Sequence, residues 1–351
     1  MTPDDDLKFM RRCLDLAIKA EGMTYPNPMV GAVVVNKGRI IGEGYHLKSG
    51  GPHAEVMAVE SVKEKSLLAS SVIYVNLEPC SHFGKTPPCA DMIISNKIPS
   101  VVVGTTDTSL KVSGRGIARL REAGCNVKVG VAGEECRWIN RRFFTFNEKK
   151  RPYITLKWAQ SSDGFIDVNR SMQGYSGPGW ITGKAEKVLV HKWRASEQAI
   201  LVGAETVRTD DPLLNVREWH GNNPVRLILS GSGSLPEKPA MSSLIGSQVV
   251  FTFYPEKVTL PGSVVVKLNG RESSASQIVE YLYQWGIQSL FIEGGASVLN
   301  HFILNGLWDE ARIFYGKQIF NDGVRAPEVE GQLFREQVFG GSTLRIFINS
   351  K

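Results

Sequence analysis

The sequence predicts an α/β protein built from two domains. At 351 residues the chain is long for one domain and of comfortable length for two. In both halves, short runs rich in Val and Ile alternate with segments of helical periodicity, which is typical of layered α/β folds. The basic run Lys149-Lys150-Arg151-Pro152 interrupts this pattern, so we expect domains at 1–148 and 149–351.

The first half is predicted to be an α/β/α domain. Apolar residues recur at helical spacing from Leu7 to Ile18, and Asp4 to Asp6 supply capping and favourable charge at the start of that helix. A hairpin of 29–35 and 39–42 turns around Asn36-Lys37-Gly38. The remaining predicted elements are helix 54–60, strand 71–76, helix 90–94, strand 100–104, helix 115–123, strand 126–129 and a last helix over about 134–144.

In the second half, the alternation of strands and helices begins again with a strand that follows Pro152. The predicted elements are strand 153–158, helix 184–195, strands 198–203, 225–229, 248–253 and 263–266, helix 275–285, strand 289–292 and helix 296–304. This half contains no G-x-G-x-x-G motif and no Walker loop, because Gly183-Lys184 is followed by alanine. The turn Glu293 to Ser297 leaves a strand and opens a helix. This pattern is typical either of a phosphate site formed by backbone N–H groups or of an ordinary strand–turn–helix connection.

The first half carries a split motif that predicts a zinc site. His53, Cys80 and Cys89 offer one imidazole and two thiols, and three protein ligands leave a fourth position open for water. Glu55 stands two residues after the histidine, where a carboxylate can move protons between that water and a substrate. This order of residues is the zinc deaminase pattern, in which the glutamate is the general acid/base. Proline at 87 and 88 starts the helix that carries Cys89, where the helix dipole favours a thiolate.

Two structural interpretations of the same residues stand beside the catalytic one. In the first, Cys80 and Cys89 are buried free thiols that bind no metal. In the second, His82 is the fourth ligand of a closed structural zinc site. The spacing also departs from the common C-x-x-C, because eight residues separate the two cysteines.

Composition excludes several classes of function. Hydrophobic content of 42% and charged content of 22% are globular values, and no apolar run has membrane-spanning length. The net charge of +6 permits anionic ligands, but the basic residues form no arm or stripe, so we expect no nucleic-acid partner. The acidic N-terminus lacks the features of a signal peptide. Of five cysteines, three remain after the two zinc ligands, which favours reduced thiols in the cytoplasm.

The residues around the zinc motif resemble the deaminase half of the bifunctional riboflavin-biosynthesis deaminase–reductases. The resemblance rests on the stretches PCSHFGKTPPC at 79–89, YPNPMVG at 25–31 and GEGYH at 42–46. It implies a cytidine-deaminase-like fold and hydrolytic removal of the 2-amino group from a diaminopyrimidinone that carries a ribosylamino 5′-phosphate. By motif position, it also implies that Asn27, His46, His82 and Lys85 contact the substrate. Their chemistry agrees, since Asn27 offers a donor and an acceptor and Lys85 a positive charge.

Residues 152 to about 315 resemble the reductase half of the same family. The matching stretches are SSDG at 161–164, WITG at 180–183, Arg194-Ala195, TDDPLLNVR at 209–217 and FIEGG at 291–295. The resemblance implies a dihydrofolate-reductase-like fold and hydride transfer from NADPH to C1′ of the ribose. It implies substrate contacts from Arg194, Leu214, Arg217 and Glu293. The implied nucleotide contacts are Gln160, Trp180, Thr206, Asp210 and the 295–301 turn, which begins with Gly295, Ala296 and Ser297.

The second half departs from the family pattern at three places. Ser162 stands where leucine is usual, Pro178 stands where serine is usual, and the segment after Tyr315 drifts. These departures concern the fine contacts of the reductase and not its fold. Two alternatives stand beside a bifunctional enzyme with one zinc ion and NADPH. One is a deaminase that acts on nucleic acid, and the other is a deaminase with a non-catalytic second domain. Our expectation is a homo-oligomeric enzyme for a small phosphorylated pyrimidine, with no membrane partner.

Overall fold

Strands and helices alternate along almost the whole chain in the computed structural model, which describes residues 2–81, 87–108, 114–170, 180–237, 239–243 and 248–350. The chain divides into two units, Met1–Lys150 and Arg151–Lys351. Within the described ranges, no helix combines the length and apolar character needed to cross a membrane.

The first unit is a mixed sheet with helices on both faces. Its strands are β1 (Gly31–Asn36), β2 (Arg39–Tyr45), β3 (Val72–Leu77), β4 (Ser100–Thr105) and β5 (Asn126–Val129), in the order β2-β1-β3-β4-β5. Its helices are α1 (Pro3–Ala17), α2 (Ala54–Ser61), α3 (Cys89–Ser95), α4 (Arg115–Glu122), α5 (Gly133–Ile139) and α6 (Arg141–Lys149). β1 pairs antiparallel with β2 and β3, whereas β3, β4 and β5 run parallel.

Successive residues of β1 point to opposite faces of the sheet and enter different cores. Ala32 and Val34 pack with residues of α2, α3 and α4, while Val33 and Val35 pack with residues of α1 and α5. All four are buried, so both faces are covered and the predicted α/β/α layering is confirmed.

The expected helix over 134–144 is wrong, because it breaks at Asn140. The side chain of Asn140 accepts a hydrogen bond from the N–H of Met29 (2.7 Å) and donates one to the carbonyl of Met29 (2.9 Å). These two bonds act like one rung of a β-ladder and hold Asn140 out of the helix. At the start of α1, Thr2 is the N-cap, and of the three expected aspartates Asp5 completes the capping box.

The second unit is built on a larger sheet. Its strands are β6 (Tyr153–Gln160), β7 (Phe165–Val168), β8 (Ala199–Gly203), β9 (Val225–Leu229), β10 (Gln248–Thr252), β11 (Val264–Lys267), β12 (Ser289–Glu293), β13 (Glu310–Tyr315), β14 (Gly323–Arg325), β15 (Gln332–Phe339) and β16 (Ser342–Ile348). Its helices are α7 (Lys184–Ser196), α8 (Ala204–Asp210), α9 (Ser274–Gln284) and α10 (Ala296–Leu304). The order β11-β10-β9-β8-β12-β6-β13-β16-β15 forms the main sheet, and β7 pairs with β14.

Seven neighbouring strands of the main sheet, from β11 to β13, run parallel, and β16 and β15 add antiparallel at one edge. Because parallel strands end at the same edge, β6, β8 and β12 bring Gln160, Gly203 and Glu293 to one side of the sheet. In that register Glu293 lies directly opposite Lys157.

Candidate active sites

His53, Cys80 and Cys89 come together although Cys89 lies 36 positions after His53 in the sequence. His53 is the N-cap of α2, Cys80 follows β3, and Cys89 begins α3. One donor atom from each lies within 4.8 Å of the others. The His53 Nδ1 atom is 3.3 Å from the Cys89 sulfur and 3.5 Å from the Cys80 sulfur. One imidazole and two thiols on three separate elements fit a zinc ion with one position left over.

Glu55 lies in the first turn of α2, directly behind this cluster. Its side chain is 3% exposed, and burial raises the pKa of the carboxyl to about 7. A hydrogen bond from Cys89 lowers the pKa of the Cys80 thiol and favours its thiolate. The cluster therefore combines an anionic sulfur donor with a buried carboxyl that exchanges protons near neutral pH.

Asn27 and His46 lie beside the same cluster. The Asn27 amide nitrogen is 3.1 Å from His46 Nε2, and His46 Nδ1 is 2.9 Å from the Pro52 carbonyl oxygen. A carbonyl only accepts, so Nδ1 carries the proton and Nε2 accepts from Asn27. Burial lowers the pKa of His46 and keeps the ring neutral, and its centroid is 5.6 Å from that of His53. His82 and Lys85 lie outside the described residues.

In the second unit, the predicted residues Arg194 and Glu293 form a buried bidentate ion pair. The Nε and one terminal nitrogen of Arg194 lie 2.6 Å and 2.8 Å from the two Glu293 oxygens. Lys157 Nζ is 3.9 Å from the same carboxylate, and burial lowers the pKa of this lysine. Despite its own burial, Glu293 has its pKa lowered to about 2 by these two cations.

Two side chains of α7 form hydrogen bonds with the backbone of the loop that follows α8. Arg194 donates to the Asn215 carbonyl (3.2 Å), and His191 Nδ1 accepts from the Arg217 N–H (3.2 Å). Leu214 in this loop is buried and has a left-handed φ of 52°. The Arg217 guanidinium is exposed and donates to the Asn215 side chain.

Only some of the residues that were predicted to contact the nucleotide lie close together. Thr206 of α8 faces the turn between β12 and α10, where a Cβ on Gly294 would lie 3.0 Å from its hydroxyl oxygen. Gly295 has a φ of 33° and is the N-cap of α10, so Ala296 and Ser297 form the first turn of that helix. His301, in contrast, points to the start of α9, where its Nε2 accepts from the Ala275 N–H at 3.1 Å.

The other three residues predicted for the nucleotide already have partners. Gln160 accepts from the Trp158 indole N–H (2.9 Å), and Asp210 accepts from Arg170 (2.8 Å). Trp180 is 63% exposed with the Lys187 ammonium over its ring.

The two positions that depart from the family pattern differ in what the structure describes. Ser162 donates to the Gln318 carbonyl (3.0 Å), so its hydroxyl fastens the segment after Tyr315. Pro178 lies outside the described residues.

Sequence reasoning missed Lys157, His191 and Glu78. His191 is one helical turn before Arg194 and therefore shares its face, and Lys157 is a charged residue within a buried strand. Glu78 stands between a buried strand and the ligand Cys80. For Lys157 and Glu78 the available signal was a charged residue in an otherwise apolar stretch, and for His191 it was the helix face shared with Arg194.

Comparisons with known proteins assign each half of the chain to a family. The family model described as the cytidine and deoxycytidylate deaminase zinc-binding region matches residues 3–105, and the RibD C-terminal domain matches 152–336. The riboflavin biosynthesis protein RibD of Aquifex aeolicus is 41% identical over 330 residues, covering 92% of this chain and 90% of the relative.

Solved structures match the chain from end to end. A diaminohydroxyphosphoribosylaminopyrimidine deaminase/5-amino-6-(5-phosphoribosylamino)uracil reductase from Thermotoga maritima shares 37% identity, covers 99% of both chains and gives a TM-score of 0.89. RibD of Acinetobacter baumannii gives a TM-score of 0.88 at 29% identity and covers both chains fully. The chain therefore belongs to the RibD family of bifunctional riboflavin-biosynthesis deaminase–reductases.

Proposed function

We propose that this protein removes the 2-amino group of 2,5-diamino-6-ribosylamino-4(3H)-pyrimidinone 5′-phosphate and then reduces the ribosyl group of the product. We assign the deaminase to 1–148 and the reductase to 149–351. The observation that carries the proposal is the convergence of His53, Cys80 and Cys89 with the buried Glu55 carboxyl behind them.

In the deaminase, His53, Cys80 and Cys89 are the residues that would hold zinc, which when bound supplies a Lewis acid for activating water. Glu55 takes a proton from the attacking water and delivers protons to the ring nitrogen and the departing amine. Overall, water and the aminopyrimidine give a carbonyl and ammonia. The buried Glu55, with its pKa of about 7, suits a group that must both accept and donate.

The remaining deaminase residues orient the pyrimidine. The Asn27 amide donates to the neutral His46 ring, which fixes its orientation, and we assign its side-chain oxygen to the substrate. We assign His82 and Lys85 to the substrate on their motif positions, with Lys85 as a positive charge for an anionic or keto oxygen.

In the reductase, bound NADPH would supply a hydride for C1′ of the ribose. The C1′–O4′ bond breaks and its oxygen takes up a proton, so that NADPH and one proton are consumed for each ribityl chain formed. Glu293 is held by Arg194 and Lys157 in its ionised form, which suits it to accept hydrogen bonds from ribose hydroxyls. The guanidinium of Arg194 already forms two hydrogen bonds with Glu293. We therefore assign the substrate phosphate chiefly to the exposed Arg217. Leu214 shapes the loop that carries Arg217.

We assign the nucleotide to the Gly294–Gly295 turn and the first turn of α10. Its backbone N–H groups suit a phosphate, and the lack of a Cβ at Gly294 admits the Thr206 side chain. Gln160, Trp180 and Asp210 complete the proposed nucleotide contacts, together with Ala296 and Ser297.

We infer a homo-oligomer in the cytoplasm that binds no nucleic acid. The edge strand β15 exposes Leu333, Phe334 and Val338, which supports pairing with a second copy. All five cysteines are free thiols, which supports a reducing compartment. Light scattering tests the oligomer, and a filter-binding titration against RNA and DNA at low salt tests the absence of nucleic-acid binding.

A pair of variants tests the assignment of roles. Glu55→Gln is expected to keep its zinc and lose deamination while still reducing the supplied uracil intermediate. Arg217→Ala is expected to deaminate normally and to raise the KM of the reductase about tenfold or more, as a lost charge-assisted phosphate contact should. If Glu55→Gln still deaminates, or if Arg217→Ala leaves the reductase KM unchanged, the corresponding assignment fails.

A further inference from the structure

We propose that Glu78 is a positioning residue that sets the zinc ligand Cys80 through the main chain, using helix α4 as a rigid support. The inference rests on the proposed metal site and adds a residue that is neither a ligand nor a proton carrier. Glu78 stands at the end of β3, two residues before Cys80, and is 4% exposed.

The Glu78 carboxylate is used entirely to bind backbone amides. Its Oε1 atom accepts from the N–H groups of Gly116 (2.9 Å) and Ile117 (3.3 Å). Its Oε2 atom accepts from Gly114 (2.9 Å) and Asp107 (3.2 Å). A buried carboxylate with four donors binds the start of α4 firmly to the end of β3.

The same helix start also contacts the peptide next to the ligand. A Cβ on Gly116 would lie 2.0 Å from the Pro79 carbonyl oxygen, so only glycine permits this approach. The Glu78 N–H donates to the Thr105 carbonyl at 3.0 Å, which ties the residue to β4 as well. Residues 78 and 79 are thus fixed on two sides immediately before Cys80.

Helix α4 is linked to the second cysteine ligand too. Arg119 of α4 forms an ion pair with Asp91 in the first turn of α3, which begins at Cys89. The Cys80 carbonyl accepts from the Ala90 N–H (3.2 Å), and the Cys80 sulfur accepts from the Cys89 N–H (3.3 Å). Both sulfur donors therefore take their positions from elements that α4 supports.

Two substitutions test this support in different ways. Glu78→Gln keeps size and one acceptor oxygen but replaces the other with an NH₂ group, which loses two of the four amide bonds. Gly116→Ala keeps the carboxylate and pushes against the Pro79 carbonyl. The matched control is Asp6→Asn, since Asp6 is also a buried carboxylate of the first unit, bound to Tyr74 (2.6 Å) and Lys128 on the opposite face of the sheet.

The primary readout is zinc affinity, measured on the full chain by competition with a chromophoric chelator. Supporting residues around metal ligands are typically worth about 10- to 100-fold in affinity, and we expect a loss of that order in Glu78→Gln and Gly116→Ala. Asp6→Asn is expected to bind zinc like the wild type. The visible spectrum of the cobalt-substituted protein is expected to change in the same two variants.

Far-ultraviolet circular dichroism and thermal unfolding of the full chain serve as the folding control for all three proteins, and unchanged reductase activity shows that the second unit is intact. Wild-type zinc affinity in whichever of Glu78→Gln and Gly116→Ala folds would overturn the proposal. An equal loss of affinity in Asp6→Asn would also overturn it, because the effect would then be one of general stability. Failure of the wild type to bind zinc would instead refute the metal site itself.

Discussion

Replacing Glu293 with glutamine is expected to destabilise the second unit by about 3 kcal/mol at pH 7. The pKa of the carboxyl falls from its ordinary 4.5 to about 2 in the folded protein. One pH unit corresponds to about 1.36 kcal/mol, so the ionised form stabilises the fold by about 3 kcal/mol. A glutamine removes this term and leaves Arg194 and Lys157 facing each other without their counter-charge, and removal of one partner of a buried ion pair typically costs about 3–5 kcal/mol.

The sign of the pH dependence follows from the lowered pKa. Above pH 4.5 the unfolded and folded chains both carry the carboxylate, and its full stabilisation is present. As the pH falls toward 2, the unfolded chain takes up the proton first and the stabilisation is lost. The gap in unfolding free energy between wild type and Glu293→Gln should therefore be widest at neutral pH and close in acid.

Urea unfolding followed by tryptophan fluorescence measures this gap, because every tryptophan except Trp138 lies in the second unit. The control is Glu336→Gln, since Glu336 pairs with Arg345 at the surface and should cost less than about 1 kcal/mol. A Glu293→Gln gap no larger than that of the control, or one independent of pH, would refute the reasoning.

Three further predictions concern single side chains. Cys80→Ser should lose the bound zinc equivalent by elemental analysis and lose deamination while keeping reductase activity, and a variant with full zinc content would contradict the ligand assignment. Burial lowers the pKa of His191 from 6.5 to about 4, so the wild type should lose stability as pH falls through that range because the unfolded chain binds the proton there. In His191→Asn this acid slope should flatten, and an unchanged slope would assign it to other groups. Asn140→Ala should lower the unfolding free energy of the first unit by about 2 kcal/mol, because the buried Met29 N–H loses its acceptor and the Met29 carbonyl keeps only the Asn76 amide as a donor. Calorimetry of the Asn140 variant checks this value, and wild-type stability would show that water replaces the side chain.

The sequence was sufficient for elements whose pattern is local. The Asn36-Lys37-Gly38 turn marks the hairpin of β1 and β2, and the structure pairs Asn36 with Arg39 as such a turn requires. The zinc motif was recognisable because one imidazole, two thiols and a nearby carboxylate seldom occur together in this order. The three donor atoms lie within 4.8 Å of one another because the start of α2, the end of β3 and the start of α3 meet.

Features that depend on distant partners could not be predicted. β13 begins with the buried Glu310 and also carries the buried Arg312. Both are tolerated because Arg312 (2.6 Å) and the distant Tyr153 hydroxyl (3.0 Å) donate to the Glu310 carboxylate. β15 is exposed along most of its length, so it shows no alternation of apolar and polar residues. The break at Asn140 depends on Met29, more than a hundred residues earlier.

The site residues divide in the same way, into those with a local sequence pattern and those that depend on distant partners. Glu78, Lys157 and His191 gain their surroundings only from the folded chain, through the start of α4, the register of β6 with β12, and the loop that carries Arg217. His301 belonged to a predicted nucleotide turn, but its ring caps α9, a neighbour that spacing alone does not reveal.

The most direct test of the account is the mass of the products formed from the diaminopyrimidinone ribosylamino phosphate by zinc-loaded protein. We predict replacement of one amino group by oxygen without NADPH, and the same change followed by the gain of two hydrogen atoms when NADPH is present. Deamination that stops there despite NADPH would contradict the reductase assignment. An unaltered substrate mass under both conditions would contradict the proposed function as a whole.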